Sequence, residues 1–572
     1  MERKEVGKRS RGLLLLLMAA VMVAALCLLA VYRKAPSGGG EAAAPADEVA
    51  AVILHTNDVH CGFEENIGYD GLALYNKELD RKYDHVFLVD AGDFIQGGPI
   101  GAISKGQEII RFMNFVGYDV ATLGNHEFDF GPEPLADCEE AFEGTFVCAN
   151  YCTSDGTPIF APWKILDAGG VRIALVGAVT PEVFTKTTLH EIVNESGEAM
   201  YCFFNDETSD RLRAALQNAV DEARAQGADV VILLAHLGNN EAVEPQYKME
   251  HVLAGLSGVD AVIDGHSHQT FSMTLPDGDG RQVTVGQTGT KLASVGQLTV
   301  YRDGRIEGTL VSEVPEPEDP DLPYETVLRD GAERRVDPDT KAFMDEAWAA
   351  YADEMNRRVG ELPFDMFVRD GSGEISRMRE NALCNLVTDA YRAAGQTQIA
   401  FINAGAVRNN LPAGELTYQS ILSILPYSND VVTVSISGQT LLDALENGAS
   451  GLPRPQGRLL QVSGMSYTVD QSKESTVRYD AEGHFVAVTG DYRVRDVLVG
   501  GEPLDLKAEY SATTSNFILG GADGYDMLME ADLLTDPMVT DNEAAIRYIQ
   551  DVLGGVIPDV YRSPQGRITV IG

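Results

Sequence analysis

Almost every apolar run in the first half of the chain leads into potential metal ligands. These are Asn57-Asp58-Val59-His60, Asp90-Ala91-Gly92-Asp93, Gly124-Asn125-His126-Glu127-Phe128-Asp129, His236 and Gly265-His266-Ser267-His268. Five of the chain's ten histidines stand in these segments. One histidine after a strand is commonly a satisfied turn residue, but five at the same topological place, each with Asp, Asn or Gly, point to a shared site. Mixed oxygen and imidazole donors suit a hard-to-borderline divalent ion rather than a thiolate site. Two such ions about 3.5–4 Å apart, sharing a carboxylate, clamp the attacking and leaving oxygens of an in-line phosphoryl displacement and generate hydroxide near neutral pH. No protein nucleophile is then required, and the chain has no GxSxG elbow. Asp58 and His60, two apart, share one face if their segment is extended.

The elements that must position these residues read as an α/β domain. Short apolar runs at 52–54, 86–89, 120–123, 171–176, 230–234 and 261–263 suit strands covered on both faces. Strand C-termini in open α/β sheets are where ligands bind. Between two of these runs, Leu212, Ala215, Leu216, Ala219, Val220 and Ala223 fall at helical spacing, with Ser209 as N-cap and Gly227 just past the end. A stretch rich in Pro, Asp and Glu at 314–324 marks a boundary, and a helical pattern at 340–358 bridges to a second unit. There the spacing predicts helices over 385–394, stopped by Gly395, and over 439–446, with strands at 399–402 and 431–436.

NDVH, GDF, GNHEFD, AHLG and GHSH, in this order, resemble the calcineurin-like metallophosphoesterase motifs of the 5'-nucleotidase and UDP-sugar hydrolase family. FINAGAVR at 401–408, LPYSND at 425–430 and NFILGGADGY at 516–525 resemble that family's nucleotide-binding C-terminal domain. The resemblance covers nearly everything after residue 50. It implies a four-layer α/β/β/α metallophosphoesterase domain over 51–320, a linker with the bridging helix over 321–360, and an α/β substrate-binding domain over 361–572.

The same resemblance implies Asp58, His60, Asp93 and His268 around one ion and Asp93, Asn125, His236 and His266 around the other, with Asp93 as the bridge. The metal would be Zn, Mn, Co or Mg. His126 and Asp129 match the family's catalytic dyad, in which the histidine stabilises charge on the phosphoryl group and the aspartate orients its ring. In the second domain, Asn403 and Arg408 would face phosphate and ribose, Tyr427 and Phe517 would sandwich the base, and Asp523 would accept ribose hydroxyls. RMREN offers two further arginines, Arg377 and Arg379, of which Arg377 is preferred. The implied activity is hydrolysis of nucleoside 5'-monophosphates to nucleoside and phosphate by metal-activated hydroxide. A UDP-sugar hydrolase or 2',3'-cyclic-nucleotide phosphodiesterase would use the same site, and a surface adhesion protein on the scaffold is the alternative of another class. The sequence departs from the family pattern at Tyr427, where phenylalanine is common, at Ala406 and Cys384, which replace glycines, and at Ala522, which interrupts a glycine pair. Base preference is therefore open. His268 stands where some members have glutamine, which bears on metal preference.

Composition is that of a globular protein, with 44% hydrophobic and 23% charged residues. A net charge of -42 excludes a nucleic-acid polymer as partner, because such binding needs Lys and Arg to neutralise phosphates. No obligatory protein partner is implied. Arg3, Lys4, Lys8, Arg9 and Arg11 precede an uncharged run at 12–32, closed by Arg33 and Lys34. About 20 such residues span a bilayer, and the basic excess on the N-terminal side predicts a signal anchor over 1–34 with the remainder outside. Cleavage after Ala44 is the alternative. Residues 35–50 read as a flexible tether. The cysteines show no zinc-knuckle or dense disulfide spacing. Cys148 and Cys152 are close enough in sequence to join or to remain as buried thiols.

Overall fold

The computed structural model describes residues 48–572 apart from 184–199, 207, 241–242, 372, 481–483 and 530. The expected anchor over 1–34 lies outside the described residues. Among the described residues no helix is long and apolar enough to cross a membrane.

Strand β1 (Val49–Thr56) opens the fold, two residues earlier than the sequence pattern suggests. After helix α1 (Gly68–Lys82), the chain adds β2 (Val86–Asp90), β3 (Val120–Ala121) and β4 (Thr145–Phe146). β1 and β2 are parallel, with Val52 opposite Val86 and Thr56 opposite Asp90. A second sheet is built from β5 (Trp163–Ala168), β6 (Val171–Val179), β7 (Val230–His236), β8 (Ala261–Ile263), β9 (Thr270–Pro276) and β10 (Gln282–Thr288). β11 (Val295–Tyr301) and β12 (Ile306–Val311) then return to the first. The orders are β12-β11-β1-β2-β3-β4 and β9-β10-β8-β7-β6-β5.

Alternation along the strands makes the layers. Ala51 and Ile53 of β1 face inward with Val89 and Val120 and meet Ile173, Leu175, Ile232, Leu234 and Ile263 of the second sheet in one core. Val52, Leu54 and Leu88 face the other way, onto Leu72, Ala73 and Leu79 of α1. On the far side Leu212, Leu216, Ala219 and Val220 of helix α2 (Asp210–Ala225) cover Ala174, Val176, Val231 and Leu233. The expected α/β/β/α order results. Truncating one such buried leucine to alanine costs about 2–5 kcal/mol.

Helix α2 starts differently from the reading of Ser209 as N-cap. Ser209 is in the left-handed region at φ 57° and makes no side-chain cap bond. Asp206 caps instead, accepting from Asp210 N at 2.9 Å and Arg211 N at 3.2 Å. Gly227, at φ 89°, ends the helix as read.

The bridging helix α3 (Pro338–Met355) is capped by Asp337, whose carboxylate accepts from Thr340 N at 2.9 Å. Met344, Ala347 and Met355 pack into the core beneath α1, and Leu422 of the following unit joins that core. The second unit contains helices α4 (Ala382–Gly395) and α5 (Gly438–Ala449) on a sheet of β13 (Ile399–Asn403), β14 (Asp430–Ser437), β15 (Leu460–Ser463), β16 (Glu509–Ser515) and β17 (Asp532–Thr540). Its order is β15-β13-β16-β14-β17. Gly395 is the last residue of α4 rather than its stop, and Gln396 beyond it takes the left-handed conformation.

Candidate active site

The segments after β1 and β2 run side by side: Asp58 N donates to Gly92 O at 2.9 Å and His60 N to Asp93 O at 2.9 Å. They are not extended. Asp58, His60, Asp93, His266 and His268 have φ of 50°, 47°, 62°, 72° and 52°, so the reading that Asp58 and His60 share a strand face is corrected. Each residue held in this left-handed region costs about 1–3 kcal/mol, strain of the kind that gathers at functional sites. Two glycines let the loops close. A Cβ on Gly92 would meet Gly124 N at 2.3 Å, and one on Gly124 would meet Asp93 Oδ1 at 2.1 Å.

The loops converge their donors on Asp93. Asp58, His60, Asp93 and His268 each offer an atom within 4.8 Å of the others, and Asp93, His236 and His266 form a second such group. Asp93 Oδ2 stands 3.6 Å from His60 Nε2 and 3.2 Å from His236 Nε2. Asp58 Oδ1 stands 3.4 Å from His268 Nε2 and 3.9 Å from His236 Nε2. Asn125, almost fully buried, opens the short helix Asn125–Phe128 beside Asp93.

The protein atoms alone do not satisfy this arrangement. His236 Nδ1 is committed to Ala91 O at 2.7 Å, while its buried Nε2, aimed at two carboxylates, has no hydrogen-bond partner. His60 Nδ1 is committed to Gln96 O at 3.2 Å, and its Nε2 faces His268 Nε2 at 3.1 Å. Lone pairs converging on carboxylate oxygens fit divalent cations, and the donor set is oxygen and imidazole throughout. The electrostatics agree. Burial, with Asp93 alongside, raises Asp58 to about 7. Burial also acts on Asp93, but His236, His126 and His60 outweigh it and hold that carboxyl well below its usual range.

Several supports escaped the sequence reading. Glu127 accepts from Asp93 N at 2.7 Å, Phe94 N at 2.8 Å and Gly124 N at 2.6 Å, tying two loops together. Its only sequence signal is a carboxylate three residues after Gly124, the capping-box offset. Asn57 donates to Asp58 Oδ2 at 2.5 Å and accepts from Thr288 N at 2.8 Å. Asp264 accepts from Leu237 N at 2.8 Å and from Gln287 Nε2 at 2.7 Å, fixing the ends of β7 and β10. Glu182, 3% exposed, accepts from His266 Nε2 at 2.9 Å, which leaves Nδ1 as that ring's other donor atom. The signal for Glu182 is its place just past the end of β6, but no histidine stands beside it there.

Beside these donors lies the His126–Asp129 pair, joined at 2.6 Å through Nδ1. Burial opposes a charge on His126, but Asp129 and Asp93 outweigh it and raise its pKa. His126 N donates to Asp93 Oδ1 at 2.9 Å.

The second unit brings residues to the same place. The Tyr427 ring lies 5.8 Å from that of His126, with 30° between their planes, and the Arg408 guanidinium lies 5.8 Å from the Tyr427 centroid. Burial first, then the adjacent Arg408, lowers the pKa of Arg377, which also pairs with Glu374 at 3.5 Å. Arg379 is exposed. Asn403 Nδ2 donates to Asp523 Oδ2 at 2.9 Å. Phe517 sits half-buried against the second unit's core.

Residues 51–270 match the family of calcineurin-like phosphoesterases, and the chain is accordingly a phosphoric ester hydrolase of the kind that works with two divalent metals. Residues 358–530 match the 5'-nucleotidase C-terminal domain. With both halves in this order, the chain belongs to the two-domain 5'-nucleotidase family. The 5'-nucleotidase of Bos taurus is 26% identical over 557 residues, 90% of each chain. The crystal structure of a 5'-nucleotidase precursor from Thermus thermophilus superposes with a TM-score of 0.71 at 27% identity, covering 91% of this chain and 99% of that one. A sulfate thiohydrolase from Thermus thermophilus shares the fold, with a TM-score of 0.63 at 19% identity over 95% of this chain and 98% of that one. The fold alone therefore does not choose the substrate.

Proposed function

We propose that this protein is an exported 5'-nucleotidase that hydrolyses nucleoside 5'-monophosphates to nucleoside and inorganic phosphate. The observation that carries the reading is the meeting of two sets of groups: donor clusters sharing Asp93, and Arg408 with Tyr427 presented to His126 from the nucleotide-binding unit. In this reading Asp58, His60, Asp93 and His268 hold one ion, and Asp93, Asn125, His236 and His266 the other. When bound, the ions supply Lewis-acid charge that acidifies water and offsets the charge of the phosphoryl group.

The chain's own residues do the rest. His126, with Nδ1 engaged by Asp129, presents Nε2 to a phosphoryl oxygen and offsets charge that grows in the transition state. Arg408 and Arg377 add guanidinium donors, whose planar geometry matches phosphate oxygens. Asp523, steadied by Asn403, accepts ribose hydroxyls. Tyr427 and Phe517 flank the base, Tyr427 at the end nearer His126. The first unit thus makes the cleavage site, the second selects what enters it, and we place their limits at 51–320 and 361–572 with α3 between. Residues 1–34 act as a membrane anchor, and the tether read at 35–50, whose residues 49 and 50 belong to β1, leaves the enzyme outside the cell.

Phosphate release from a panel of nucleoside monophosphates, cyclic nucleotides, nucleotide sugars and a thiosulfate ester, with Zn, Mn, Co or Mg added and with chelator as control, tests the proposal. Turnover of the monophosphates above all others, abolished by chelator, is the expected result. Turnover of another class alone, or activity in chelated and metal-analysed protein, would overturn it.

A further inference from the structure

Two cysteines that are far apart in sequence stand directly opposite one another. The short strands Cys152–Thr153 and Tyr201–Cys202 pair antiparallel, with Cys152 against Cys202 and Thr153 against Tyr201. Just beyond, Ser154 N donates to Met200 O at 3.1 Å, which continues the ladder and fixes its phase. By that phase Cys152 and Cys202 occupy a hydrogen-bonded position, where Cα atoms lie about 5.5 Å apart. Disulfides most often span about 5.5–6 Å between Cα atoms, so the backbone is already at the right separation. Directly opposed side chains leave a sheet on the same face, and at a hydrogen-bonded pair their Cβ atoms lie toward the wider end of about 4.5–5.5 Å. A disulfide uses about 3.5–4.5 Å, so the two strand ends must draw together by about 1–2 Å at this position to close the bond. Both residues are free thiols in this structure.

We propose that Cys152 and Cys202 form a disulfide in the mature protein. The two differ in access, and this orders the chemistry. Cys202 is partly exposed, with Arg211 Nη2 3.6 Å from its sulfur, whereas Cys152 is 1% exposed. An external disulfide donor of the glutathione or thiol–disulfide oxidoreductase class reaches Cys202 first. The Cys202 thiolate attacks one donor sulfur, the donor's S–S bond breaks, and one donor thiol leaves. Cys152 then attacks the Cys202 sulfur of the mixed disulfide and expels the second donor thiol. The two cysteines lose two electrons and two protons, and the donor disulfide gains them as two thiols.

Cys148 is the competitor, being near in sequence and fully buried. Burial pushes its thiol up to about 12, and its sulfur contacts Asn150 Oδ1 at 3.6 Å. No strand pairing opposes it to Cys152 among the described residues; its own segment bridges to Ala161 through Val147. The bond between Cys152 and Cys202 would close a ring around β5, β6 and Glu182, the carboxylate that engages His266. Structural disulfides persist outside the cytoplasm, so the bond's presence in the cell rests on the export reading, whereas its formation in vitro does not.

The test is incubation of the folded, purified full-length chain with oxidised glutathione, alkylation of remaining thiols, digestion without reductant, and mass spectrometry. The expected product is a Cys152–Cys202 linked peptide pair, lighter by two hydrogens than the separate peptides, with Cys148 alkylated after unfolding. Cys148→Ser should keep the link, and Cys202→Ser should leave Cys152 as a free thiol. Reductant should lower the thermal midpoint of the oxidised wild type by a few degrees and leave that of Cys202→Ser unmoved. A Cys148–Cys152 link, glutathione retained on Cys202, or both cysteines alkylated as thiols would each overturn the proposal.

Discussion

His126 and Tyr427 face one another across the two halves of the chain, ring centroids 5.8 Å apart and planes 30° from parallel. One ring is anchored by Asp129 and lies against the metal-donor loops, while the other lies beneath Arg408 on the nucleotide-binding unit. A phosphate ester held at this junction touches groups from both halves at once. In the proposed reading, this junction is what makes a general phosphoesterase fold selective for one class of ester.

Because His126 belongs to neither donor cluster, His126→Ala should lower kcat by about 10²- to 10³-fold with metal content unchanged, the usual scale for one lost transition-state donor. Turnover with metal analysis on the same sample checks this. Loss of metal in proportion to activity would make His126 a ligand instead.

Glu182 acts on His266 from behind. Glu182→Gln keeps the shape and a hydrogen-bond acceptor but removes the charge that fixes the imidazole tautomer. Metal affinity should fall by about 10- to 100-fold, the typical effect of losing such a partner, and titration of metal into depleted protein reads this without any turnover. Unchanged affinity would reduce Glu182 to a packing residue.

The clustering of these segments was legible because fully buried strands appear as apolar runs, and because almost every run in the first domain leads into His, Asp or Asn. Their backbone was not. Nothing about Asp58 or His60 signals a left-handed conformation, which is imposed by the close approach of the loops around Gly92 and Gly124. Glu182 escapes for a different reason: it follows β6 with no histidine beside it, and only tertiary folding brings it to His266. The cap of α2 was misplaced by three residues because Asp and Ser both stand before the helix, and only local geometry decides which oxygen reaches the free amides. Helix α3, read as a bridge, carries Met344 and Ala347 into the first core, a role its sequence pattern does not separate from that of a linker.

Asp541 gives the second unit a pH dependence. Burial above all, with Asp430 nearby, raises it to about 7, although Asn542 N and Asn429 Nδ2 donate to it. An unfolded aspartate titrates near about 3.9, so the folded state holds the extra proton between the two values. Its contribution to stability is full below about pH 4 and is lost as pH rises through about 7. Asp541→Asn removes the ionisation. The variant should therefore gain on the wild type between about pH 4 and about pH 7, with the gap in thermal midpoint widening across that window and levelling off above it. A gap independent of pH would contradict the assignment.

The N-terminal reading is tested by truncation. β1 begins at Val49, so a chain starting at Glu48 keeps every strand residue. It should be soluble without detergent and hydrolyse AMP at the full-length rate, while full-length protein partitions with membranes. Full-length protein found free in the medium with residues 1–34 intact would contradict the anchor.

The central claim, that the second unit makes this phosphoesterase a nucleotidase, is tested most directly by comparing two substrates on one variant. Base stacking on an aromatic ring is worth about 1–3 kcal/mol by alanine substitution. Phe517→Ala should therefore lower kcat/KM for AMP by about ten- to a hundred-fold, at about 1.4 kcal/mol per tenfold. p-Nitrophenyl phosphate meets the same donors and His126 but has no base, so its kcat/KM should change by less than about twofold, within what loss of no stacking contact allows. Equal losses for both substrates in a folded, fully metallated variant would contradict the account.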